Sequence, residues 1–273
     1  VVVRTVPMDP ETGNLDWEVF EASVSERTRL VAVTAASNAL GTIVDLPRAR
    51  SLARSVSALL FVDAVHLAPH ERINVATLGC DFLACSPYKF YGPHVGVLWG
   101  RAGTLTDVLP PKLAPAPETA PEKWETGTLN HEGIAGAAAA VDFLAALAEG
   151  GTRGERLDSA FDELSRRGDA LIARLWEGLE SVSGVRLYGP RPGAPRTPTL
   201  SFTIEGHTPA EAAARLSSEW GLFLSHGNFY ASSVTARLDV EPEGLLRAGC
   251  ACYTNREEVE RLIEAVGNLA AGG

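Results

Sequence analysis

Cysteine and methionine are scarce in this chain of 273 residues, which holds four of the first and one of the second. The cysteines, at 80, 85, 250 and 252, form no CxxC pair and are too few for a secreted disulfide scaffold. A reducing, cytoplasmic compartment is therefore expected, with Cys80 and Cys85 as small buried hydrophobes on an apolar strand. Positive charge is also short. The 24 Lys and Arg face 34 Asp and Glu, a net charge of −10, which argues against a nucleic-acid grip and against attraction to an anionic membrane surface. No apolar run reaches the roughly 20 residues of a membrane span. No basic n-region leads into an apolar h-region. Walker A, GxGxxG, GxSxG and HExxH motifs are missing. His66 and His70 have the i, i+4 spacing of a helical metal pair, but Pro69 lies between them just after a strand, so no metal site is expected.

What is present is an ordinary globular balance, 45% apolar and 21% charged. Residues 1–145 alternate β-rich runs with helical patterns. Val1–Val6 reads as a strand, and 14–24 as a helix with Trp17, Phe20 and Val24 on one side. The run RLVAVTA (29–35) reads as a strand buried on both faces. A helix over 46–58 follows, then strands over 59–62, 82–85 and 95–99. This rhythm predicts an α/β fold with a mostly parallel sheet. Prolines crowd 110–121 into a loop. Helices are expected over 132–147 and 156–180, with a Gly-rich break between them. The remainder predicts strands over 185–188, 199–204, 222–225 and 246–252, with helices over 209–219 and 256–269. We expect a large domain over 1–150 and a smaller α+β domain over 151–273.

Ligands of open parallel sheets bind outside the carboxyl ends of the strands. Asn38 follows RLVAVTA, Asp63 closes LLFVD, and Ser86 and Lys89 follow FLAC. Each alone is more often a turn residue, a cap or a solvated side chain. Three successive strand ends carrying an amide, a carboxylate, and a hydroxyl with an amine are harder to attribute to chance. An acidic residue closing one strand and a lysine just past the next suit pyridoxal phosphate chemistry. The lysine holds the cofactor aldehyde as a Schiff base, and the carboxylate pairs with the pyridine nitrogen.

The phrases SNALGTIVDL, FVDAVHLAPH, LGCDFLACSPYKFYGPHVGVLWGR, ETGTLNHEGIAG and LLRAGCACYTNREEVERL resemble the cysteine desulfurase-like branch of the class V aminotransferases, fold-type I pyridoxal phosphate enzymes. The resemblance implies a three-layer α/β/α large domain and a small C-terminal domain. It matches Lys89 to the Schiff-base lysine and Asp63 to the pyridinium partner. Asn38 and His66 match residues near the phenolic oxygen, and Ser86 a phosphate-binding serine. Thr128 matches a threonine reaching the cofactor of a second subunit, which implies a homodimer. Arg247 matches the arginine gripping the substrate carboxylate, and His226 faces the substrate from the small-domain loop. Such proteins are longer than this chain, so a portion preceding Val1 is expected.

The pattern departs from the family at Tyr88, where a histidine commonly precedes the lysine. It departs again in LSHGNFYASS, where Tyr230 stands in the place of the sulfur-carrying cysteine and Ser225 in that of a neighbouring arginine. Cys250 and Cys252 fall on an apparent strand and are expected to be structural. The reading is an enzyme acting on an amino acid, most like a cysteine desulfurase. The alternatives are an aminotransferase or epimerase, or a catalytically silent fragment.

Overall fold

The computed structural model describes residues 1–125 and 127–272. In chain order the elements are α1 (Trp17–Ser23), β1 (Leu30–Thr34), α2 (Leu46–Ser55), β2 (Leu59–Asp63), α3 (Val75–Leu78), β3 (Phe82–Cys85), β4 (Val97–Gly100), α4 (Ala102–Asp107), α5 (His131–Ala145) and α6 (Arg153–Glu180). There follow β5 (Val185–Tyr188), β6 (Thr199–Ile204), α7 (Pro209–Trp220), β7 (Ser225–Gly227), α8 (Ser232–Arg237), β8 (Leu245–Gly249) and α9 (Arg256–Ala271). Short 3-10 turns lie at Pro87–Phe90 and Glu122–Trp124. The chain divides into two compact units.

One unit holds Val24–Ala35 and Asp45–Asp162. Its sheet has the order β1-β2-β3-β4. The first three strands are parallel, and β4 returns antiparallel to β3. The parallel crossover from β1 to β2 runs through α2. Asp45 starts that helix by accepting from the Arg48 amide, and Pro47 is preset in its first turn. Leu46, Ala49 and Ala53 form its buried side, which packs on β1 and β2. The expectation that 29–35 would be buried on both faces is corrected. Val31 is buried while Leu30 is 53% exposed, because β1 is an edge strand with one covered face. The expected strand at Val1–Val6 is also corrected. No regular element forms there, Val1, Val2 and Val3 are exposed, and among the described residues no strand supplies it with a hydrogen-bonding partner.

The other unit holds Val1–Ser23, Ala36–Val44 and Glu163–Gly273. Its antiparallel sheet has the order β5-β6-β8-β7. Strand alternation gives this sheet two different faces. Leu200, Phe202, Ile204 and Leu246 point into a core with Ile172, Leu175 and Leu179 of α6, Leu216 of α7 and Leu262 and Val266 of α9. Full burial of each such side chain contributes about 1.5–3 kcal/mol. Helices α7 and α9 are fixed at their starts by reciprocal capping pairs, Thr208 with Glu211 and Asn255 with Glu258. On the opposite face, the register sets Ser201 beside Arg247 and Arg247 beside Ser225. A second apolar cluster, containing Met8, Ala39, Leu40, Tyr188, Leu238 and Leu245, lies outside the first core. Strand β8 ends at Gly249, so Cys250 and Cys252 lie beyond it rather than on it. The Cys250 amide donates to the Pro198 carbonyl.

Candidate active site

In the first unit, β2 lies hydrogen-bonded between β1 and β3, and its last residue is Asp63, opposite Thr34 on one side and Ala84 on the other. The strands are parallel, so Asp63 and the chain leaving β3 at Cys85 share the carboxyl end of one sheet. Asp63 Oδ1 accepts from the Val65 amide at 2.9 Å, which turns the chain sharply out of the sheet. Its side chain is exposed. Ser86 opens the 3-10 turn without making a side-chain capping bond. Its carbonyl accepts from the Lys89 amide at 2.9 Å. Pro87 presets this turn, and Tyr91 closes it in the left-handed region at φ 69°. Lys89 Nζ is exposed and sits 5.0 Å from the centre of the Tyr88 ring, and that ring stacks on His94 at 4.9 Å. Tyr88, at the place where a histidine was expected, therefore forms an aromatic wall beside the amine.

His66 and His70 follow β2 in a turn, with their rings edge to face at 5.4 Å. Burial holds the His70 imidazole far below its ordinary value, at about 4. Thr128 is exposed in the segment before α5; its neighbour Thr126 lies outside the described residues. Helix α5 is started by Asn130, whose Oδ1 accepts from the Gly133 amide at 2.8 Å. His131 is thus the first helical residue.

In the second unit, Arg247 on β8 donates through Nη1 to the Asn38 carbonyl at 2.7 Å and reaches Ser225 Oγ at 3.5 Å. The Asn38 side-chain Nδ2 donates to the Phe229 carbonyl at 2.8 Å. The Phe229 ring covers the guanidinium, 4.2 Å from its carbon. Burial lowers the Arg247 pKa. Among the described residues no carboxylate lies within ion-pair distance of it. Arg247 is thus a half-buried cation held by a carbonyl, a hydroxyl and a ring rather than by a carboxylate. His226 pairs with Leu246 in the register, so Ser225 and not His226 is the β7 residue beside Arg247. Sequence reasoning missed Phe229, because nothing in the LSHGNFYASS run indicates which aromatic turns inward.

Three thiols are unsuited to nucleophilic work. Burial raises Cys80 and Cys85, and it raises Cys250 to about 11. Tyr230 is fully exposed in its loop.

Within the first unit, a carboxylate and an amine thus stand at adjacent parallel strand ends. The chain belongs to the aminotransferase class-V family, whose model matches residues 1–262. More particularly, it is similar to cysteine desulfurases. It is 32% identical over 267 residues to a probable cysteine desulfurase of Xylella fastidiosa (strain Temecula1), covering 93% of this chain and 60% of that protein. It is 30% identical over 277 residues to a cysteine desulfurase of Pectobacterium carotovorum, with 96% and 63% covered. The chain thus spans about 60% of the length of these curated relatives. Among solved structures, the apo cysteine desulfurase of Thermococcus onnurineus NA1 matches with a TM-score of 0.86 and 30% identity, over 99% of this chain and 66% of that one. The Escherichia coli cysteine desulfurase CsdA, in S-sulfonic acid form, matches with a TM-score of 0.80 and 28% identity, over 94% and 62%. The α/β architecture expected from the sequence is the one these structures share. Among the described residues, no helix is long and apolar enough to cross a membrane.

Proposed function

We propose that this chain forms the cofactor- and substrate-binding part of a pyridoxal phosphate-dependent enzyme acting on an amino acid, with Lys89 as the covalent anchor. The observation that carries this reading is the pair of strand ends: Asp63 closes β2, and Ser86 to Lys89 follow the adjacent parallel β3. The donor set fits the group chemically. An exposed amine can take an aldehyde, a carboxylate can hold a proton on a ring nitrogen, and a hydroxyl without a capping bond can donate to a phosphate. When bound, the cofactor withdraws electrons from the bond to be broken at the substrate α-carbon.

The chain's own residues then divide the work. Asp63 would hold a proton on the ring nitrogen. Ser86 would donate to the phosphate, joined by Thr128 of a second subunit in a homodimer. Asn38 and His66 would hold the phenolic oxygen. Arg247 receives the α-carboxylate in its planar fork, with Ser225 beside it; His226, paired with Leu246 on the other strand face, is not assigned to the substrate. Lys89 Nζ would hold the cofactor aldehyde, and the same amine would remove and return the proton at the substrate α-carbon. The division into a cofactor domain over 1–150 and a small domain over 151–273, and a cytoplasmic location, belong to the same reading.

By family the first reaction to assign is a desulfurase-like one on a cysteine-type amino acid. A second reading, an aminotransferase or epimerase, is favoured by the thiols. Burial disfavours the thiolate at Cys80, Cys85 and Cys250, and Tyr230 occupies the loop expected to carry a persulfide. The test begins with colour. Pyridoxal phosphate added to the chain should give a visible absorbance band, and borohydride should fix the adduct on the peptide containing Lys89. Lys89→Ala should abolish both. Adducts on Lys112 or Lys123 in place of Lys89, or a colourless protein, would overturn the assignment and support a silent fragment. Product analysis with cysteine then separates sulfide plus alanine from a keto acid or an inverted amino acid.

A further inference from the structure

The loop after β7 carries two aromatic residues in succession in the left-handed region, Phe229 at φ 56° and Tyr230 at φ 59°. Residues with a Cβ visit that region at a cost, and glycine visits it freely. Neither residue is a glycine, so local backbone preference does not explain the choice. Asn228 supports the turn, its Oδ1 accepting from the Tyr230 amide at 3.0 Å and its carbonyl from the Ala231 amide at 2.8 Å. A closed cycle follows. Arg247 donates to the Asn38 backbone carbonyl, the Asn38 side-chain Nδ2 donates to the Phe229 carbonyl, and the Phe229 ring returns to cover the guanidinium.

The two contacts on Arg247 act on different freedoms. A guanidinium has five N–H groups in one plane, and a carboxylate docks against an edge of that plane. The bond from Nη1 to Asn38 fixes rotation within the plane. The Phe229 ring, its centre 4.2 Å from the guanidinium carbon, bears on the group from one side and restrains its position there, while the remaining N–H groups stay free to meet an anion. We propose that Phe229 is a positioning residue for Arg247, presenting its guanidinium edge to the α-carboxylate of the substrate and so selecting carboxylate-bearing amines. This rests on the reading of Arg247 as the carboxylate receptor. Phe229 also packs against the cluster containing Leu40 and Leu245, so its contribution as a ring must be separated from its contribution as bulk.

The experiment uses the whole chain without cofactor, labelled with 15N-arginine. The Arg247 Nε signal, assigned by its loss in Arg247→Lys, is followed during titration with propionate, with ethylamine as control. Propionate should give a saturable shift and ethylamine none. Phe229→Leu keeps apolar bulk and should weaken propionate binding about fivefold, whereas Phe229→Tyr keeps the ring and should stay within about twofold. Should the leucine variant fail to fold, Phe229→Gly suits the left-handed backbone, lacks the ring, and should show the same loss. In the loaded enzyme the leucine change should raise KM for the amino acid and leave kcat within about twofold. The proposal falls if wild type does not bind propionate, if the leucine or glycine variant binds it as wild type does, or if tyrosine weakens it as much as leucine. Failure of the cofactor reading is distinct: the visible band is then missing from wild type while the propionate titration still saturates.

Discussion

His70 gives the clearest quantitative test of how the first unit is held together. It lies in the turn after β2, its amide donating to the Leu67 carbonyl at 2.8 Å and its ring edge-on to His66. Burial keeps the imidazole neutral down to about pH 4, against an ordinary value of 6.5. In the unfolded chain the same ring takes up a proton near pH 6.5. Between these limits the unfolded state binds more protons, so acid draws the equilibrium toward it. The stability conferred by the neutral ring is complete above about pH 6.5 and is lost as the pH falls from 6.5 to 4. At about 1.36 kcal/mol for each pH interval of one, the full loss is about 3 kcal/mol. The perturbation is His70→Phe, which keeps a planar ring and removes the titration. Urea unfolding of both proteins, read by pulse hydrogen exchange on the peptide containing β2, isolates this term, because other carboxylates and histidines titrate in both. The variant should gain on wild type by about 3 kcal/mol between pH 6.5 and 4 and show no change in the difference above pH 7. Parallel profiles for the two proteins would refute the burial argument.

Two further outcomes follow from the same kind of reasoning. Cys250, raised from 9.0 to about 11, has a thiolate fraction near neutral pH about 100-fold below an ordinary thiol. Timed iodoacetamide labelling with peptide mapping should find it protected in the folded protein and reactive in urea, and rapid native labelling would contradict its assignment as structural. Gly244 sits at φ 77°, and a Cβ there would lie 2.3 Å from the Gly227 backbone. Gly244→Ala should therefore destabilise the β7–β8 end of the sheet by more than 1 kcal/mol, roughly the cost of left-handed backbone alone, seen as a lower urea midpoint; an unchanged midpoint would show that the two chains part freely.

The sequence disclosed most where a pattern had one physical solution. The runs 82–85, 185–188 and 199–204 are strands with the expected bounds, because apolar runs of that length flanked by turn residues leave little choice. Long helices were legible with small errors at their ends; α6 begins at Arg153 instead of 156, since helix starts depend on local capping. The strand expected at 222–225 forms instead at Ser225–Gly227. Hydrophobicity marked Leu222 and Leu224, but pairing with β8 decides where the ladder runs. The short helices α3, α4 and α8 were not foreseen, since four to six residues carry too little periodicity. At the candidate site, the chemistry of Asp63 and Lys89 was legible as strand ends. The clasp of Phe229 and Asn38 on Arg247 was not, because it joins residues about two hundred positions apart through two backbone carbonyls, which every residue possesses.

Strand β8 gives neighbouring residues opposite duties: Leu246 is sealed in oil-like packing, while Arg247 stands in a polar row with Ser201 and Ser225. Position 247 can therefore change without touching the core beneath α6, α7 and α9, whereas Leu245, two residues earlier on the same face, is sealed in the second apolar cluster and cannot. An inserted or deleted residue in that strand would exchange the two roles and forfeit both together.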